Sequence, residues 1–287
     1  MREWPEHVER MVTLALEEDI GKGDITTDAI YSGNETGSAV LVAKENGVLA
    51  GLDLIAFIIG KLDKDITFHT GRNDGDIVAG GSVIATLEGR MAPMLSAERT
   101  ILNFFQRMCG IATRTRKYVR ALSSTKTKIL DTRKTAPGHR YLDKLAVLAG
   151  GGENHRIRLD DRFLIKENHI RMAGSIAAAV SRCRAYRSKH NTEAALEIEI
   201  TSIAELDELL AAEPVEYVML DNMPLQEMQD AVKRIDGMIL TEVSGNVTLE
   251  RVPEIAGAGV DFISSGELTH SVRAMDISML IRERSGG

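Results

Sequence analysis

The fold is decided between residues 127 and 266, where six short apolar runs recur: TKILDT (127–132), RFLIKEN (162–168), ALEIEIT (195–201), YVMLDN (217–222), MILTEVSG (238–245) and VDFISSG (260–266). Stretches of helical spacing stand between them, including GSIAAAVSRCRAYRSK (174–189), IAELDELLAA (203–212), PLQEMQDAVKRI (224–235) and TLERVPEIAGAG (248–259). Alternating strand and helix predicts a parallel sheet with helical crossovers. Near-continuous apolar runs are the pattern of strands buried on both faces. No G-x-G-x-x-G opens the unit, so a barrel or partly closed barrel fits better than an open doubly wound sheet.

Before this region the chain reads differently. Val8–Glu18 is apolar at near-helical spacing, and residues 38–49, 66–69 and 82–87 read as short strands between Gly-rich turns. LSAERTILNFFQRMCGIATRTRKYVRAL (95–122) predicts one long helix or two broken near Gly110. The front part therefore has α+β character, and a boundary is expected near residues 105–115.

The chain has 287 residues, enough for one large or two modest domains with a core that needs no cross-link. Its two cysteines, Cys109 and Cys183, form no metal pattern and read as free thiols, with one disulfide between them as the alternative. The start, MREWPEHVER, has no apolar core of a signal peptide, and no run is long enough to span a bilayer, which predicts a cytoplasmic protein without a membrane partner. The net charge of −7 argues against nucleic acid as a partner. That average conceals a basic window: residues 126–171 carry a balance of +5, which leaves −12 on the remainder. Such a window suits a small anion, and a solvated, salt-bridged face is the plainer alternative.

The six runs end in polar residues. The first delivers Asp131, Thr132, Arg133 and Lys134, and the second Lys166, Glu167 and Asn168. Glu197 and Glu199 end the third, Asp221 and Asn222 the fourth. Glu242, Ser244, Gly245 and Asn246 end the fifth; Ser264, Ser265 and Gly266 end the sixth. Chemistry in such folds gathers at the C-terminal strand ends, so these residues predict one shared site. Arg133, Lys134, Arg156 and Lys166 give it cations, and Glu199 and Asp221 give it carboxylates. The small SGN and SSG turns let backbone N–H groups approach a phosphate, with the following helix adding its positive end. Four clustered cations repel one another unless a polyanion offsets them. Gly150–Gly152 before His155 and Arg156 adds a weaker signal, with a flexible turn as the alternative.

ERTILNFFQRMCGIAT, DTRKTAPG, GGGENHRIRL, LIKENHI, EIEI, MLDN, EVSGN and ISSGELTHSVRAMDISM, in that order, resemble the quinolinate phosphoribosyltransferase family, also called nicotinate-nucleotide pyrophosphorylases (carboxylating). The resemblance covers about residues 95–280. It implies an N-terminal α/β sandwich over 1–108, to which 270–287 returns, and an open, incomplete α/β barrel over 109–269. It implies transfer of phosphoribose from phosphoribosyl pyrophosphate to quinolinate. Decarboxylation then gives nicotinate mononucleotide, pyrophosphate and CO2 in NAD biosynthesis, with Mg²⁺ as cofactor. By resemblance, Arg99, Thr132, Arg133, Lys134, His155, Arg156 and Lys166 surround the quinolinate carboxylates and phosphates. Glu199 and Asp221 lie near ribose and metal, while Ser244, Gly245, Asn246, Ser264, Ser265 and Gly266 hold phosphate. Lys134, Lys166, Glu199 and Asp221 are the implied catalytic groups. A homo-oligomer is implied, a dimer or a hexamer built of dimers, with Arg99 or Arg133 crossing the interface. Arg158 stands where the family often has Gly, and leaves open whether its charge enters the site.

Glu197 and Glu199 share a strand face, and Glu199 is nearer the strand end. No Ser-His-Asp or Cys-His set supplies a nucleophile, and the transfer needs none. Three other readings remain at this level: a lyase using Lys166 as a Schiff-base amine, a non-enzymatic sensor of phosphate ligands, and a near relative of the same fold with another pyridine or metal-cofactor role.

Overall fold

The computed structural model describes residues 3–282. In chain order the elements begin α1 (Glu6–Ile20), α2 (Ile25–Ile30), β1 (Thr36–Ala43), β2 (Gly47–Val48), α3 (Leu52–Leu62), β3 (Thr67–His69), β4 (Ile77–Val78), β5 (Val83–Arg90) and α4 (Met91–Ala121). They continue with β6 (Lys128–Leu130), α5 (Arg140–Ala149), β7 (Arg162–Ile165), α6 (Glu167–Ala173), α7 (Ile176–His190), β8 (Ala195–Ile200) and α8 (Ile203–Leu210). The last are β9 (Tyr217–Asp221), α9 (Leu225–Ile235), β10 (Leu240–Ser244), α10 (Val252–Ala256), β11 (Phe262–Ser264), α11 (Glu267–His270) and β12 (Ile277–Arg282).

Two compact units result. The first comprises residues 1–116, 136–151 and 271–287, and the second 117–135 and 152–270. The segment 136–151 thus groups with the first unit, although the sequence reading assigned it to 109–269. Of the returning segment 270–287, residues 283–287 lie outside the described residues, as do residues 1–2.

In the first unit the sheet order is β12-β1-β5-β3, all pairs antiparallel. The C-terminal strand β12 pairs with β1 from Ser38↔Arg282 to Ala43↔Ile277. Val8, Val12 and Leu16 recur every four residues and form the buried stripe of α1. Of the two alternatives, one long helix or two broken near Gly110, the structure has the single continuous helix α4. Gly110 is there for packing: a Cβ at this position would stand 2.2 Å from the carbonyl oxygen of Arg273. Cys109 and Cys183 are both free; Cys109 is buried, which pushes its thiol pKa up.

The second unit is a parallel six-stranded sheet, order β6-β11-β10-β9-β8-β7. The first and last strands of this sheet in chain order, β6 and β11, are neighbours, while β6 and β7 are the two edges, so the barrel stays open. The opening falls where the chain between β6 and β7 makes its excursion into the first unit and supplies no crossover helix to the second. Ile165, Ile198, Ile200, Val218, Leu220, Val243 and Ile263 are buried on one face of this sheet. The opposite face is polar, which departs from the reading of strands apolar on both faces. Its row Glu197, Glu199, Met219, Asp221, Glu242 and Ser244 follows the two-residue alternation of the strands.

Candidate active site

The polar face of the second unit ends in a cleft of about 520 Å³. Thr132, Arg133, Lys134, His155, Arg156, Lys166, Glu199, Asp221, Ser244, Gly245, Asn246 and Ser264 all line it, joined by Leu164, Met219, Asn222 and Glu242. Residues separated by more than a hundred positions therefore share one concavity because each occupies the same end and face of its strand. Ser265 and Gly266 are not among the lining residues. The Ser265 hydroxyl donates to the Val247 carbonyl at 3.3 Å, and its backbone N–H donates to Leu130 O at 3.1 Å, so this serine fastens the turn. Gly266 provides room: a Cβ there would meet Lys134 Cδ at 2.9 Å. Arg99 is an exposed residue of α4 in the first unit and is not among the lining residues.

The loop after β6 is held by its backbone and leaves its cations for a ligand. Lys134 N–H donates to Thr132 Oγ1 at 3.0 Å, and the Thr269 hydroxyl donates to Lys134 O at 2.9 Å. Asp131 is buried and accepts from the His155 N–H at 3.0 Å, tying this loop to the one that carries Arg156. The Arg133 Nε is buried without a hydrogen-bond partner. A buried donor left unmade is costly, and an anionic ligand would satisfy it. Arg156 donates to Arg162 O at 3.1 Å; burial, then the charge of Arg133, lowers its pKa from the usual value. Lys166 departs from the expected wall of free cations: its Nζ lies 2.5 Å from Glu199 Oε2. Arg158 is outside this set, exposed and paired with Asp160 at 3.2 Å.

The late loops are built from left-handed residues. Gly245 has φ +88°, Asn246 +48° and Asn222 +54°. Asn246 Nδ2 donates to Asn222 Oδ1 at 3.0 Å, and Asn222 Nδ2 donates to Asp221 Oδ2 at 2.8 Å. A Cβ on Gly245 would stand 2.2 Å from Asn222 Oδ1, so only glycine lets the two loops close together. The helices after these loops, Val252–Ala256 and Glu267–His270, are too short to add the dipole that the sequence reading counted on. Any anion here is held by loop amides and side chains.

The sequence model described as "Quinolinate phosphoribosyl transferase, C-terminal domain" matches residues 111–280, and its N-terminal counterpart matches residues 24–109. The chain belongs to the quinolinate phosphoribosyltransferase family. Among its relatives is a probable nicotinate-nucleotide pyrophosphorylase [carboxylating] of Bacillus subtilis, 44% identical over 262 residues, covering 91% of this chain and 89% of the relative. The chloroplastic enzyme of that name from Arabidopsis thaliana is 43% identical over 286 residues, with coverage of 94% and 82%. The crystal structure of NadC from Streptococcus pyogenes aligns with a TM-score of 0.93 at 36% identity, covering 99% of both chains. A nicotinate-nucleotide pyrophosphorylase from Francisella tularensis aligns at 0.92 and 41%, covering 98% of both. The open α/β barrel and the small N-terminal sheet domain are thus those of this phosphoribosyltransferase family.

At the foot of the cleft His155, implied by the resemblance to lie at the quinolinate carboxylates, meets Glu197 and Glu242, both read from the sequence as strand-end residues of the shared site. His155 Nε2 is 2.8 Å from Glu197 Oε2 and 3.5 Å from Glu242 Oε2, all three groups buried. Arg162 NH1 is 3.4 Å from Glu197 and its guanidinium stacks 4.3 Å from the Tyr217 ring centre. Burial pushes the Glu197 carboxyl pKa up, but the His155 hydrogen bond and nearby positive charge outweigh it, and the net shift is down. Burial and then the Glu197 charge hold Glu242 well above the usual carboxylate range. Glu242 and Ser244 are two residues apart on one strand face, and that spacing was the available signal for Glu242. Asn222 was visible at its strand end, but the left-handed angle that makes it a loop clasp was not.

Proposed function

We propose that this chain transfers phosphoribose from phosphoribosyl pyrophosphate to quinolinate and decarboxylates the adduct to nicotinate mononucleotide, releasing pyrophosphate and CO2 in NAD biosynthesis. The observation that carries the reading is the cleft's charge pattern. Arg133, Lys134 and Arg156 stand on one loop pair, the Lys166–Glu199 pair and Asp221 follow, and the Gly245–Asn246 turn lies beyond. Quinolinate is a dianion and the donor carries more charge still. The cations offset their repulsion and orient the pyridine nitrogen toward the sugar. Departure of pyrophosphate leaves positive charge on the ribose, which the carboxylates of Glu199 and Asp221 stabilise. The nitrogen forms the new bond and becomes cationic, and that cation accepts the electron pair as the adjacent carboxylate leaves as CO2. Among the described residues no nucleophile-base pair is needed for any of these steps.

Glu199 and Asp221 fit Mg²⁺, since one or two carboxylates plus substrate phosphates are its usual ligands. They would share the ion with the donor's pyrophosphate, where it supplies charge neutralisation. Lys166 serves the substrate when a second anion competes with Glu199 for its ammonium. A Schiff-base role suits it less, because Nζ is engaged by Glu199.

A homo-oligomer with Arg99 contributed by a neighbouring subunit completes the reading, a dimer or a hexamer of dimers. Support comes from Arg133 lining the cleft of its own chain, which leaves exposed Arg99 as the arginine to cross. Mixing R99A with K134A subunits should give activity well above that of either homogeneous variant. The protein is taken as cytoplasmic; among the described residues no helix is long and apolar enough to cross a membrane. The deciding assay is nicotinate mononucleotide and CO2 formation that requires quinolinate, phosphoribosyl pyrophosphate and Mg²⁺ together. No product at saturating substrates refutes the assignment.

A further inference from the structure

Two left-handed residues at the cleft serve no helix end. Among the described residues four that are not glycine have a positive φ, and two of them, Asn191 and Asp236, are the C-caps of α7 and α9, where such a residue is usual. Asn222 (φ +54°) and Asn246 (φ +48°) are the other two, and each holds a backbone state that costs free energy outside glycine. Both side chains are exposed, where a hydrogen bond between neutral groups adds little to folding. What the pair shares is one continuous set of bonds. A carboxylate only accepts, so the Asn222 amide turns Nδ2 to Asp221 Oδ2, at 2.8 Å. That leaves Asn222 Oδ1 for Asn246 Nδ2, at 3.0 Å and 24 positions away in the chain. The Asn222 N–H donates to Ser244 O at 3.0 Å, so main chain and side chain both bridge the end of β9 to the end of β10. Arg251 NH1 donates to the Asn246 carbonyl at 3.0 Å, which fixes the turn from a second side.

We propose that Asn222 is a positioning residue that ties the two grips on a sugar phosphate together: its amide occupies Asp221 Oδ2, leaving Oδ1 for the ligand, and clasps the Gly245–Asn246 turn at a set distance from that carboxylate. This inference rests on the phosphoribosyl-transfer reading, which puts ribose at Asp221 and phosphate at the turn. The hydroxyls and the phosphate of a ribose 5-phosphate unit stand a fixed number of bonds apart. A site that holds both ends therefore gains from grips whose spacing is set before the ligand arrives. The residue type follows from the same geometry. Glycine takes the left-handed angle but has no amide to share. Aspartate tolerates the angle too, yet would set a second carboxylate against Asp221. Asparagine alone of the three meets a carboxylate with a donor and Asn246 with an acceptor.

The test compares wild type with Asn222→Gly, Asn222→Asp, Asn246→Gly and the double variant N222G/N246G, all of which accept the left-handed backbone and should melt within about 3 °C of wild type. Each is titrated with ribose 5-phosphate by calorimetry and assayed for the KM of each substrate. N222G should weaken ribose 5-phosphate, and raise the KM of the phosphoribosyl donor, about tenfold, while the KM for quinolinate stays within about threefold. N222D should lose about 30-fold or more, since it adds repulsion to the lost bond. N246G should lose about fivefold by itself, yet nothing beyond about twofold when added to N222G, because Asn246 acts through Asn222. Additive losses, which reach about 50-fold in the double variant, overturn the proposal by showing that each asparagine meets the ligand independently. Equal losses for donor and quinolinate overturn it as well, as does a wild type that does not bind ribose 5-phosphate. The titration needs no turnover. Non-additive weakening of ribose 5-phosphate upholds the proposal even if quinolinate is not the acceptor, whereas turnover by N222G with an unchanged donor KM overturns it and leaves the assigned reaction standing.

Discussion

Replacing Lys134 by alanine separates a ligand-binding cation from a structural one. The backbone of Lys134 is held from both sides, by Thr132 Oγ1 and by the Thr269 hydroxyl, and neither bond involves the side chain being removed. The side chain is exposed, and among the described residues no carboxylate lies within ion-pair distance of it. Its loss should therefore cost the fold no more than about 0.5 kcal/mol, a melting shift of under about 2 °C. The loss to catalysis is larger. A unit charge pair at 4 Å is worth about 4 kcal/mol at an effective dielectric near 20, and solvent at an exposed ammonium reduces that to about 2–3 kcal/mol. At about 1.4 kcal/mol per decade, kcat/KM should fall roughly 30- to 150-fold. The assay is the rate of nicotinate mononucleotide formation beside a thermal melt of the same preparations. Activity within about threefold of wild type would refute the reasoning that this charge faces substrate. A melting point lowered by 10 °C or so would show that the side chain supports the fold.

Three further substitutions test other parts of the structure. Gly245→Ala meets both a φ of +88° and an Asn222 oxygen 2.2 Å from the new Cβ. It should raise the KM for the phosphoribosyl donor more than tenfold or so, with about 1–3 kcal/mol lost in urea unfolding. Gly110→Ala would gain up to about 1 kcal/mol in an isolated helix, yet contact with Arg273 O should reverse the sign and lower the melting point. Asp63 accepts from Arg90 Nε at 2.7 Å, and that bond, with the Asp65 N–H, holds its carboxyl below the model-peptide value of 3.8. A depressed folded-state pKa contributes stability above the unfolded value, lost as pH falls through the lower folded one. Urea stability of wild type should therefore drop as pH goes below about 4, and Asp63→Asn should be less stable at pH 7 with a shallower acid loss.

The sequence by itself determined the alternating strands and helices of the second unit, because a two-residue or 3.6-residue period is a local property of the chain. It also determined which strand ends carry charge, and DTRKT, NHR and LIKENH were legible as a cationic set for the same reason. The tertiary structure decided what those groups do to one another. Lys166 is the partner of Glu199, Ser265 fastens a turn, and Glu242 is buried beside His155, none of which is encoded in spacing along the chain. Gly110 reads as a helix break until the Arg273 carbonyl, 163 residues away, is seen to need its missing Cβ. The barrel's opening was likewise decided in space, since residues 136–151 have helical sequence like other crossovers and yet pack into the first unit. Local periodicity fixes elements, whereas pairing, burial and charge balance depend on distances that only the folded chain brings within reach.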